Sequence, residues 1–578
     1  MNKITANRIV ILQSQLQIEN YLNTQIQDND LIIPIGPDAL FFIEKNNLRH
    51  YKIKDFIKEH SYEEFKIISN NKIKKLIFDL NEITTNLEIG NYFMFQLEVI
   101  IGQLHYNYFI VESIINNFFF KEILIYYNLA NNSLLYEFRP DITNLLNDVF
   151  KKIYPKYNFK LHSIGLREKN INIGIKNKIL SLFSHTIINK LRTTRNRFRT
   201  INFSYKTKYK LLLIGGGYDW FKIAKFKEFN NNFKIEFENI NRIKKKLIYY
   251  DEVLNIINVS INFNGLTIYE ATNITKEISE YTFHFLSNFE NDKRKIKKFS
   301  AVISSVLTFP GEMYLAHIAK MSNIPVIIWQ HGEKGQAYDP TIFSTEICYT
   351  SNYFTYADSV NKFYLKYVKK NILKSLHTVG SISKNVKWIN GNTILYATGK
   401  WFYTASSIPV NIDPDTRQFY AQKDILSFLN QYNNVTLKAN NTRGFNKIPF
   451  NFNNINIDYT SKFTDLLINS KLVILDTPAT TLIEACSTRI PIFVLGGRNN
   501  YYTEFLDLIK KRVVWCENTE DLIFQINTYL ELGIYNADIN NDEYIYKYNF
   551  PQTNEIVQQS VINNLIKIIN NKIHEKLH

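Results

Sequence analysis

Short apolar runs, each followed by turn residues and then by helical periodicity, recur along this chain. Runs of this length suit buried strands, and their alternation with helical segments is typical of a parallel α/β sheet. The alternation occurs in three successive blocks. Because 578 residues exceed what one hydrophobic core usually supports, the sequence predicts two or three α/β domains with a cleft between lobes.

The predicted domain boundaries follow these three blocks. The second block opens with a strand that runs into Gly215, Gly216 and Gly217, which is typical of the first turn of a Rossmann-like domain. The third block repeats the alternation and is followed by an amphipathic helix. We predict an N-terminal α/β region at 1–165, a basic linker at 166–205, Rossmann-like lobes at 206–388 and 389–545, and a C-terminal helix at 546–578.

The most apolar helical stretch, residues 92–120, is interrupted by Glu98, His105 and Glu112. Their burial in lipid would be costly, so we expect a buried helix and not a membrane span. The start of the chain lacks the long apolar core of a signal peptide. The three cysteines are widely spaced and odd in number, which fits a reducing cytosol and excludes a disulfide framework. We therefore expect a cytoplasmic protein.

The formal net charge is +16, and much of the excess lies between Lys190 and Lys210. A solvated linker face explains such a run. The alternative is attraction to an anionic membrane surface or a phosphorylated ligand, with about 1 kcal/mol for each nearby basic residue at a membrane. That alternative would place the protein peripherally at the inner membrane face. We expect no nucleic-acid partner, because no nucleic-acid-binding motif accompanies the charge.

Ligands of doubly wound sheets bind at the carboxyl ends of the strands, so the residues after each apolar run are candidates. Thr480 and Thr481 lie at a predicted helix start, where free backbone N–H groups favour a phosphate. Glu484, one turn later, could accept ribose hydroxyls. Alternatively, Thr481 and Glu484 form a capping box, which would explain the same spacing.

His331 follows another apolar run and is itself followed by Gly332 and Gly335. The glycines allow a ligand to approach closely, and the imidazole could donate to a phosphate or move a proton. The alternative is a histidine whose hydrogen bonds are satisfied within the turn. Gln330 and the two glycines favour the functional interpretation.

Two carboxylates follow other strands. Glu312 could act as a catalytic base, although Pro310 and Glu312 are also the residues that a first helical turn prefers. Asp219 comes after three glycines and could deprotonate a hydroxyl. Its alternative role is that of a helix cap.

Several common motifs are missing from the sequence. It contains no HExxH, CxxC or P-loop, which removes the usual zinc-hydrolase and nucleoside-triphosphatase interpretations. Asp413-Pro414-Asp415 does match the DxD of metal-dependent transferases. Because a helix is predicted to start near Thr416, we expect these residues to cap it, and we predict no essential metal.

Five segments carry a resemblance to a known family: IPVIIWQHGEKG, YFTYADSVNKFY, LHTVGS, TILYATGKW and KLVILDTPATTLIEACSTRIPIFVLGG. They resemble bacterial GT-B glycosyltransferases of capsule and lipopolysaccharide clusters. The likeness is greatest to those that transfer ulosonic acids (Kdo, sialic, legionaminic or pseudaminic acid) from CMP donors. It covers roughly residues 301–530, and more weakly the N-terminal region.

The resemblance implies a GT-B fold in which 206–388 form the acceptor-side lobe and 389–545 bind a nucleotide sugar, with no cofactor. His331 would face the transferred sugar or its phosphate. Many relatives carry a His-Pro pair where Ala439 and Asn440 stand here. Lys438 or Asn440 would substitute for it, or the donor would be a UDP-sugar. By this resemblance the nucleotide site comprises Gly399, Lys400, Lys438, Thr480, Thr481 and Glu484.

The implied reaction is displacement at an anomeric carbon, assisted by a carboxylate, onto a glycan or lipid-linked acceptor. Three other interpretations share the architecture. One is a polyol-phosphate transferase of the CDP-glycerol type, which would show more His-rich phosphate sites. Another is a nucleotide-sugar 2-epimerase, which has no need of the first block. The third is a catalytically inactive sugar-binding scaffold.

Overall fold

The computed structural model describes most of the chain, in ranges separated by gaps. The described residues are 3–24, 26–27, 29–57, 59–128, 146–147, 149–151, 159–166, 207–238, 246–261, 269–338, 341–382, 388–389, 391–399, 415–439, 450, 452–496 and 500–575.

The N-terminal region contains six strands and six helices for which the described residues give both ends. The strands are β1 (Ile4–Thr5), β2 (Arg8–Leu12), β3 (Leu31–Pro34), β4 (Phe118–Phe119), β5 (Glu122–Asn128) and β6 (Lys160–Leu166). The helices are α1 (Gln15–Thr24), α2 (Pro37–Lys45), α3 (Ile53–Phe56), α4 (Glu59–Asn81), α5 (Ile89–Tyr92) and α6 (Met94–Asn117). Four strands form a parallel sheet in the order β3-β2-β5-β6, and β1 pairs with β4.

Helix α6 is the apolar helix that the sequence predicts, and it is largely buried against α4 and α5. His105 is fully buried on it and lies 2.8 Å from Ser69 Oγ through Nδ1 and 3.1 Å from the Ser260 carbonyl oxygen through Nε2. Among the described residues, no helix is both long and apolar enough to span a bilayer.

The middle lobe contains a six-stranded parallel sheet in the order β12-β11-β10-β9-β7-β8. Its strands are β7 (Tyr209–Leu213), β8 (Phe233–Phe237), β9 (Ala301–Ser304), β10 (Val326–Trp329), β11 (Asn352–Thr355) and β12 (Ser375–Thr378). A short strand, β13 (Ser381–Ile382), follows them. The helices are α7 (Tyr218–Ile223), α8 (Lys227–Asn232), α9 (Tyr250–Ile261), α10 (Tyr269–Ile296), α11 (Pro310–Met321), a π-helix (Phe343–Ile347) and α12 (Asp358–Lys369).

The C-terminal lobe contains a second six-stranded parallel sheet, in the order β16-β15-β14-β17-β18-β19. This is the 3-2-1-4-5-6 order of the Rossmann fold. Its strands are β14 (Thr393–Ala397), β15 (Val435–Lys438), β16 (Ile455–Asp458), β17 (Ser470–Leu475), β18 (Ile492–Leu495) and β19 (Val514–Cys516). Its helices are α13 (Asp415–Leu429), α14 (Phe463–Leu467), α15 (Thr480–Cys486), α16 (Thr503–Ile509), α17 (Thr519–Leu532) and α18 (Glu543–Tyr548).

The chain then crosses back to the middle lobe. Strand β20 (Pro551–Gln552) pairs with β13, and helix α19 (Asn554–Glu575) follows it. Val561 and Leu565 of α19 are fully buried in the same apolar cluster as Trp220. Tyr209 also donates a 3.1 Å hydrogen bond to Asn570 Oδ1. The last helix therefore belongs structurally to the middle lobe.

The central strands of both large sheets are buried on both faces, which is why they read as continuous apolar runs in the sequence. Strands β9, β10, β14, β17 and β18 are buried almost throughout. The predicted α/β class is confirmed: two lobes each contain a Rossmann-like parallel sheet, and an additional α/β region precedes them.

Candidate functional site

Each large sheet reverses its strand order at one place, between β7 and β9 in the middle lobe and between β14 and β17 in the C-terminal lobe. Ligands of open α/β sheets bind in the crevice at such a switch point. Asp219 and Glu312 lie in the helices that follow β7 and β9, while Gly399 and Thr480 come shortly after β14 and β17. Four residues predicted from the sequence thus lie at the two switch points.

The loop after β10 joins the two lobes. Gly332 has a φ of +68°, and a Cβ atom placed there would lie 3.5 Å from Thr480 Oγ1. Glu333, the next residue, accepts a 3.4 Å hydrogen bond from the same hydroxyl. Further along, the Tyr338 N–H donates to the Asn500 carbonyl oxygen at 2.8 Å. This loop therefore places His331 of the middle lobe near the start of helix α15.

Asp219 is buried, and its carboxylate has two partners. The Tyr356 hydroxyl donates a 2.6 Å hydrogen bond to Oδ2, and Lys222 forms an ion pair with Oδ1. Helix α7 begins after Gly217 without a side-chain cap. The capping interpretation of Asp219 is therefore wrong, and the carboxylate instead links helix α7 to the loop that follows β11.

Glu312 folds back over the start of α11, where its Oε2 accepts backbone hydrogen bonds from Thr308 (2.9 Å) and Phe309 (3.1 Å). The helix-capping geometry is therefore present. A Cβ atom placed on Gly215 would lie 3.0 Å from the same oxygen, so the carboxyl also borders the glycine turn. Part of the side chain reaches the surface, but protein surrounds the carboxyl group. This burial raises the pKa of Glu312 to about 7, against the two backbone hydrogen bonds, which lower it.

The side chain of His331 is exposed, although protein packs around part of it. Burial lowers the pKa of His331, and the positive charge of Lys334 lowers it further. The imidazole is therefore neutral at neutral pH and can donate through one nitrogen while it accepts through the other.

A buried ion pair anchors the loop that carries His331. Lys334 Nζ lies 2.6 Å from Glu346 Oε1, and both side chains are largely buried. Glu346 Oε2 accepts hydrogen bonds from the hydroxyls of Tyr353 and Tyr364, the latter at 2.9 Å. Gln330 adds a second anchor, because it accepts from the Tyr356 N–H (2.8 Å) and donates to a carbonyl oxygen of the loop (3.0 Å). Sequence reasoning missed Glu346, which lies in the π-helix.

Asp476 organises the switch point of the C-terminal lobe, another role that the sequence did not reveal. It is buried directly after β17, and its Oδ2 accepts hydrogen bonds from Tyr396 (2.9 Å) and Gln422 (2.8 Å). Its Oδ1 accepts from the Gly399 N–H. Gly399 is therefore at the predicted place, but its N–H binds Asp476.

Helix α15 begins at Thr480, and its N-cap residue is Ala479, which makes no side-chain cap. The capping box of Thr481 and Glu484 is therefore wrong. Thr480 is exposed, and Thr481 and Glu484 are partly exposed. All three stay candidates for ligand contact.

Lys438 ends β15 and lies 3.6 Å from Asp458 Oδ1 at the end of β16. Asp458 also accepts hydrogen bonds from the Ser461 hydroxyl (2.6 Å) and from two backbone N–H groups. These hydrogen bonds lower the pKa of Asp458, and the bond from the Ser461 hydroxyl has the largest effect. The positive charge of Lys438 lowers the pKa further. Lys438 thus has an ionised carboxylate as its partner.

Some predicted residues lie outside the described part of the chain. They are Lys400, Asn440, Asp413, Pro414 and residues 190–206 of the basic stretch. Helix α13 begins at Asp415. Within the described ranges, no three His, Cys, Asp or Glu side chains are arranged to hold a metal ion.

No family model matches the sequence, and no curated protein matches it. Solved structures are similar in part. A glycosyltransferase from Rickettsia africae ESF-5 aligns at 12% identity with a TM-score of 0.38, over 64% of this chain and 100% of that chain. UGT71G1 from Medicago truncatula, complexed with UDP-glucose, aligns at 9% identity with a TM-score of 0.37, over 62% and 98%. A mutant of TarM from S. aureus aligns at 13% identity with a TM-score of 0.32, over 47% and 58%.

At these identities and TM-scores, the similarities assign the chain to no family. The class that the fold and the site define is a two-lobed α/β protein in which the loop after β10 of one lobe meets the residues after β17 of the other. Its function must come from the chemistry of the residues in that cleft.

Proposed function

We propose that this chain is a glycosyltransferase of the GT-B type, which moves a sugar from a nucleotide donor onto a hydroxyl of a glycan or lipid-linked acceptor. The observation that carries the proposal is the approach of Gly332 and Glu333 to Thr480 across the cleft. A Rossmann-ordered lobe on one side suits a nucleotide, and a lobe with carboxylates at its switch point suits an activated hydroxyl.

In this proposal Glu312 is the base that accepts the proton of the acceptor hydroxyl. Its pKa of about 7 matches neutral pH, where a general base is most effective. Asp219 holds Tyr356 and adds negative charge beside the acceptor. His331 donates a hydrogen bond to the departing phosphate or to the transferred sugar. As the C–O bond to the acceptor forms, the sugar–phosphate bond breaks, and the nucleotide leaves with the bonding electron pair.

For the donor we propose a CMP-linked ulosonic acid, supported by the five sequence segments that resemble such transferases. The nucleotide would contact Gly399, Lys400, Lys438, Asn440, Thr480, Thr481 and Glu484. A UDP-sugar is the alternative donor, supported by Ala439 and Asn440 in place of His-Pro. Peripheral contact with anionic lipids through Lys190–Lys210 is part of the same proposal.

A thermal-shift screen with CMP, CDP, UDP, GDP and ADP tests the proposal. A ligand at a hundred times its Kd stabilises the folded state by about 2.7 kcal/mol. We expect selective stabilisation by one pyrimidine nucleotide, which is lost in Thr480→Ala. Thr503→Ala is the matched control, because Thr503 is the first residue of another seven-residue helix in the same lobe. Selective stabilisation by CMP supports the ulosonic acid donor. Selective stabilisation by UDP keeps the proposed transferase but replaces its donor with a UDP-sugar.

Transfer activity separates an enzyme from a scaffold. We expect Glu312→Gln to bind the nucleotide with unchanged affinity but to lose transfer. A native protein that no nucleotide stabilises would overturn the proposal, and one that binds nucleotide without turnover would identify a scaffold.

A further inference from the structure

A second cavity, of about 440 Å³, lies between the N-terminal region and the middle lobe. Its wall includes Glu88 from the N-terminal region and His317, Lys320 and Met321 from the last turns of α11. Glu312 is in the first turn of the same helix, which places it roughly 7–14 Å from these three residues along the helix axis at about 1.5 Å per residue. The cavity is therefore separate from the cleft between the lobes.

The carboxylate of Glu88 is fixed on one side only. Its Oε2 accepts 2.7 Å hydrogen bonds from the Tyr349 hydroxyl and from Asn91 Nδ2. Oε1 faces His317 Nε2 across 3.9 Å, which is too long for a hydrogen bond. Among the described residues, neither of these two atoms has a hydrogen-bond partner.

The other ring nitrogen determines how His317 is protonated. Nδ1 lies 2.6 Å from the Tyr92 hydroxyl, which can donate to it, and the ring stacks on Tyr349. We assign the ring proton to Nε2, since this nitrogen faces the carboxylate. Burial lowers the pKa of His317, and the negative charge of Glu88 raises it. The net shift is downward, so the ring is neutral at neutral pH.

The charges around the cavity balance. Burial raises the pKa of Glu88, but the hydrogen bonds from Tyr349 and Asn91 and the nearby positive charge of Lys320 lower it, so the net shift is downward and the group is ionised. Lys320 supplies the opposite charge at the exposed end of α11. A neutral ligand fits such a wall better than an ion does. A hydroxyl suits the 3.9 Å gap, because it can donate to Glu88 Oε1 while accepting from His317 Nε2.

We propose that this cavity binds a neutral saccharide, with one sugar hydroxyl bridging Glu88 and His317. Phe343 and Met321 supply an apolar part of the wall for the C–H face of the sugar ring. The volume lies within the range of small-molecule sites, roughly 300–1,000 Å³. The site is separate from the cleft, so its occupancy does not depend on the proposed transfer reaction.

Saturation-transfer difference NMR on the full chain tests this site. The probes are the methyl glycosides of glucose, galactose, mannose and N-acetylglucosamine at millimolar concentration. We expect transfer to at least one glycoside, reduced at least fivefold in Glu88→Gln. Glu290→Gln, at an exposed position of α10, is the matched control and keeps the signal.

A second variant keeps the test decisive if Glu88→Gln folds poorly. Met321 is 43% exposed at the cavity, so Met321→Trp can fill the space without removing a buried polar partner. We expect this variant to lose the signal, whereas Thr480→Ala in the cleft keeps it. Transfer that persists in Met321→Trp, or no transfer to any glycoside in the native protein, overturns the proposal.

Discussion

The hydroxyl of Tyr356 donates a 2.6 Å hydrogen bond to Asp219 Oδ2 and joins the loop that follows β11 to helix α7. Both residues are buried. Burial raises the pKa of Tyr356 well above its usual value, and the nearby negative charge of Asp219 raises it further. The hydroxyl therefore stays protonated and keeps the carboxylate oriented at the carboxyl end of the sheet.

Replacing Tyr356 with Phe removes this donor and leaves a buried carboxylate oxygen short of a partner. We expect the free energy of unfolding to fall by about 1–3 kcal/mol, the cost of an unsatisfied buried polar group. Urea denaturation measures it. Tyr338→Phe, at a residue that is 59% exposed, is the control and should change stability by less than about 0.5 kcal/mol. Equal effects of the two changes would show that the Tyr356 bond contributes nothing.

The raised pKa of Glu312 should make the stability of the protein depend on pH. Its pKa is raised from 4.5 to about 7, so the folded state holds the proton more tightly than the unfolded chain does. The resulting stabilisation is complete below about pH 4.5 and is lost as the pH rises through about 7. The difference in unfolding free energy between the native protein and Glu312→Gln should therefore change by roughly 2–3 kcal/mol between pH 4.5 and 8. Glu290→Gln should show no such change.

The same carboxyl predicts the pH profile of transfer. If Glu312 is the base, kcat/KM rises as the pH rises through about 7, because only the ionised carboxylate accepts a proton. Initial rates from pH 5.5 to 8.5 measure this, with donor and acceptor below their KM. A profile that is flat through pH 7 would assign the base to another residue.

For the ion pair of Lys334 and Glu346, we predict that removing one charge destabilises the protein more than removing both. Lys334→Met leaves a buried carboxylate without its cation and should destabilise the protein by about 3–5 kcal/mol. Lys334→Met combined with Glu346→Gln removes both charges and should regain most of the loss. Lys510→Met breaks an exposed pair with Glu517 and should cost less than about 1 kcal/mol. Thermal and urea unfolding of the native protein and these three variants measure the effects, and a double variant no more stable than Lys334→Met would contradict the pairing.

The sequence predicted those features that depend on local pattern. Continuous apolar runs identify strands buried on both faces, and the residues after them fall at the carboxyl ends of the sheets. Asp219, Glu312, His331 and Thr480 were found in this way. The strand order of neither sheet could be obtained, because periodicity carries no information about which strands are neighbours.

The partners of the site residues could not be predicted, because they lie far away in the chain. Asp476 binds the Gly399 N–H across 77 positions, and Tyr356 binds Asp219 across 137. Lys438 and Asp458 pair only because β15 and β16 are adjacent. The helix boundary also mattered, since a start at Thr480 and not after Thr481 removes the predicted capping box.

Asp476 gives the last prediction, because three donors converge on its buried carboxylate and one of them is the backbone of the loop after β14. In Asp476→Asn, one acceptor oxygen becomes an N–H donor and opposes one of these donors, so the loop that carries Gly399 must shift. If this loop contacts the nucleotide, the Kd of the nucleotide should rise at least tenfold, which is a loss of about 1.4 kcal/mol of binding free energy. Calorimetric titration with CMP and with UDP measures the change. Asp507→Asn, at an exposed position of α16, should bind as the native protein does. Unchanged affinity in a folded Asp476→Asn would place the nucleotide away from the β14–β17 switch point, although the two lobes would still form a cleft.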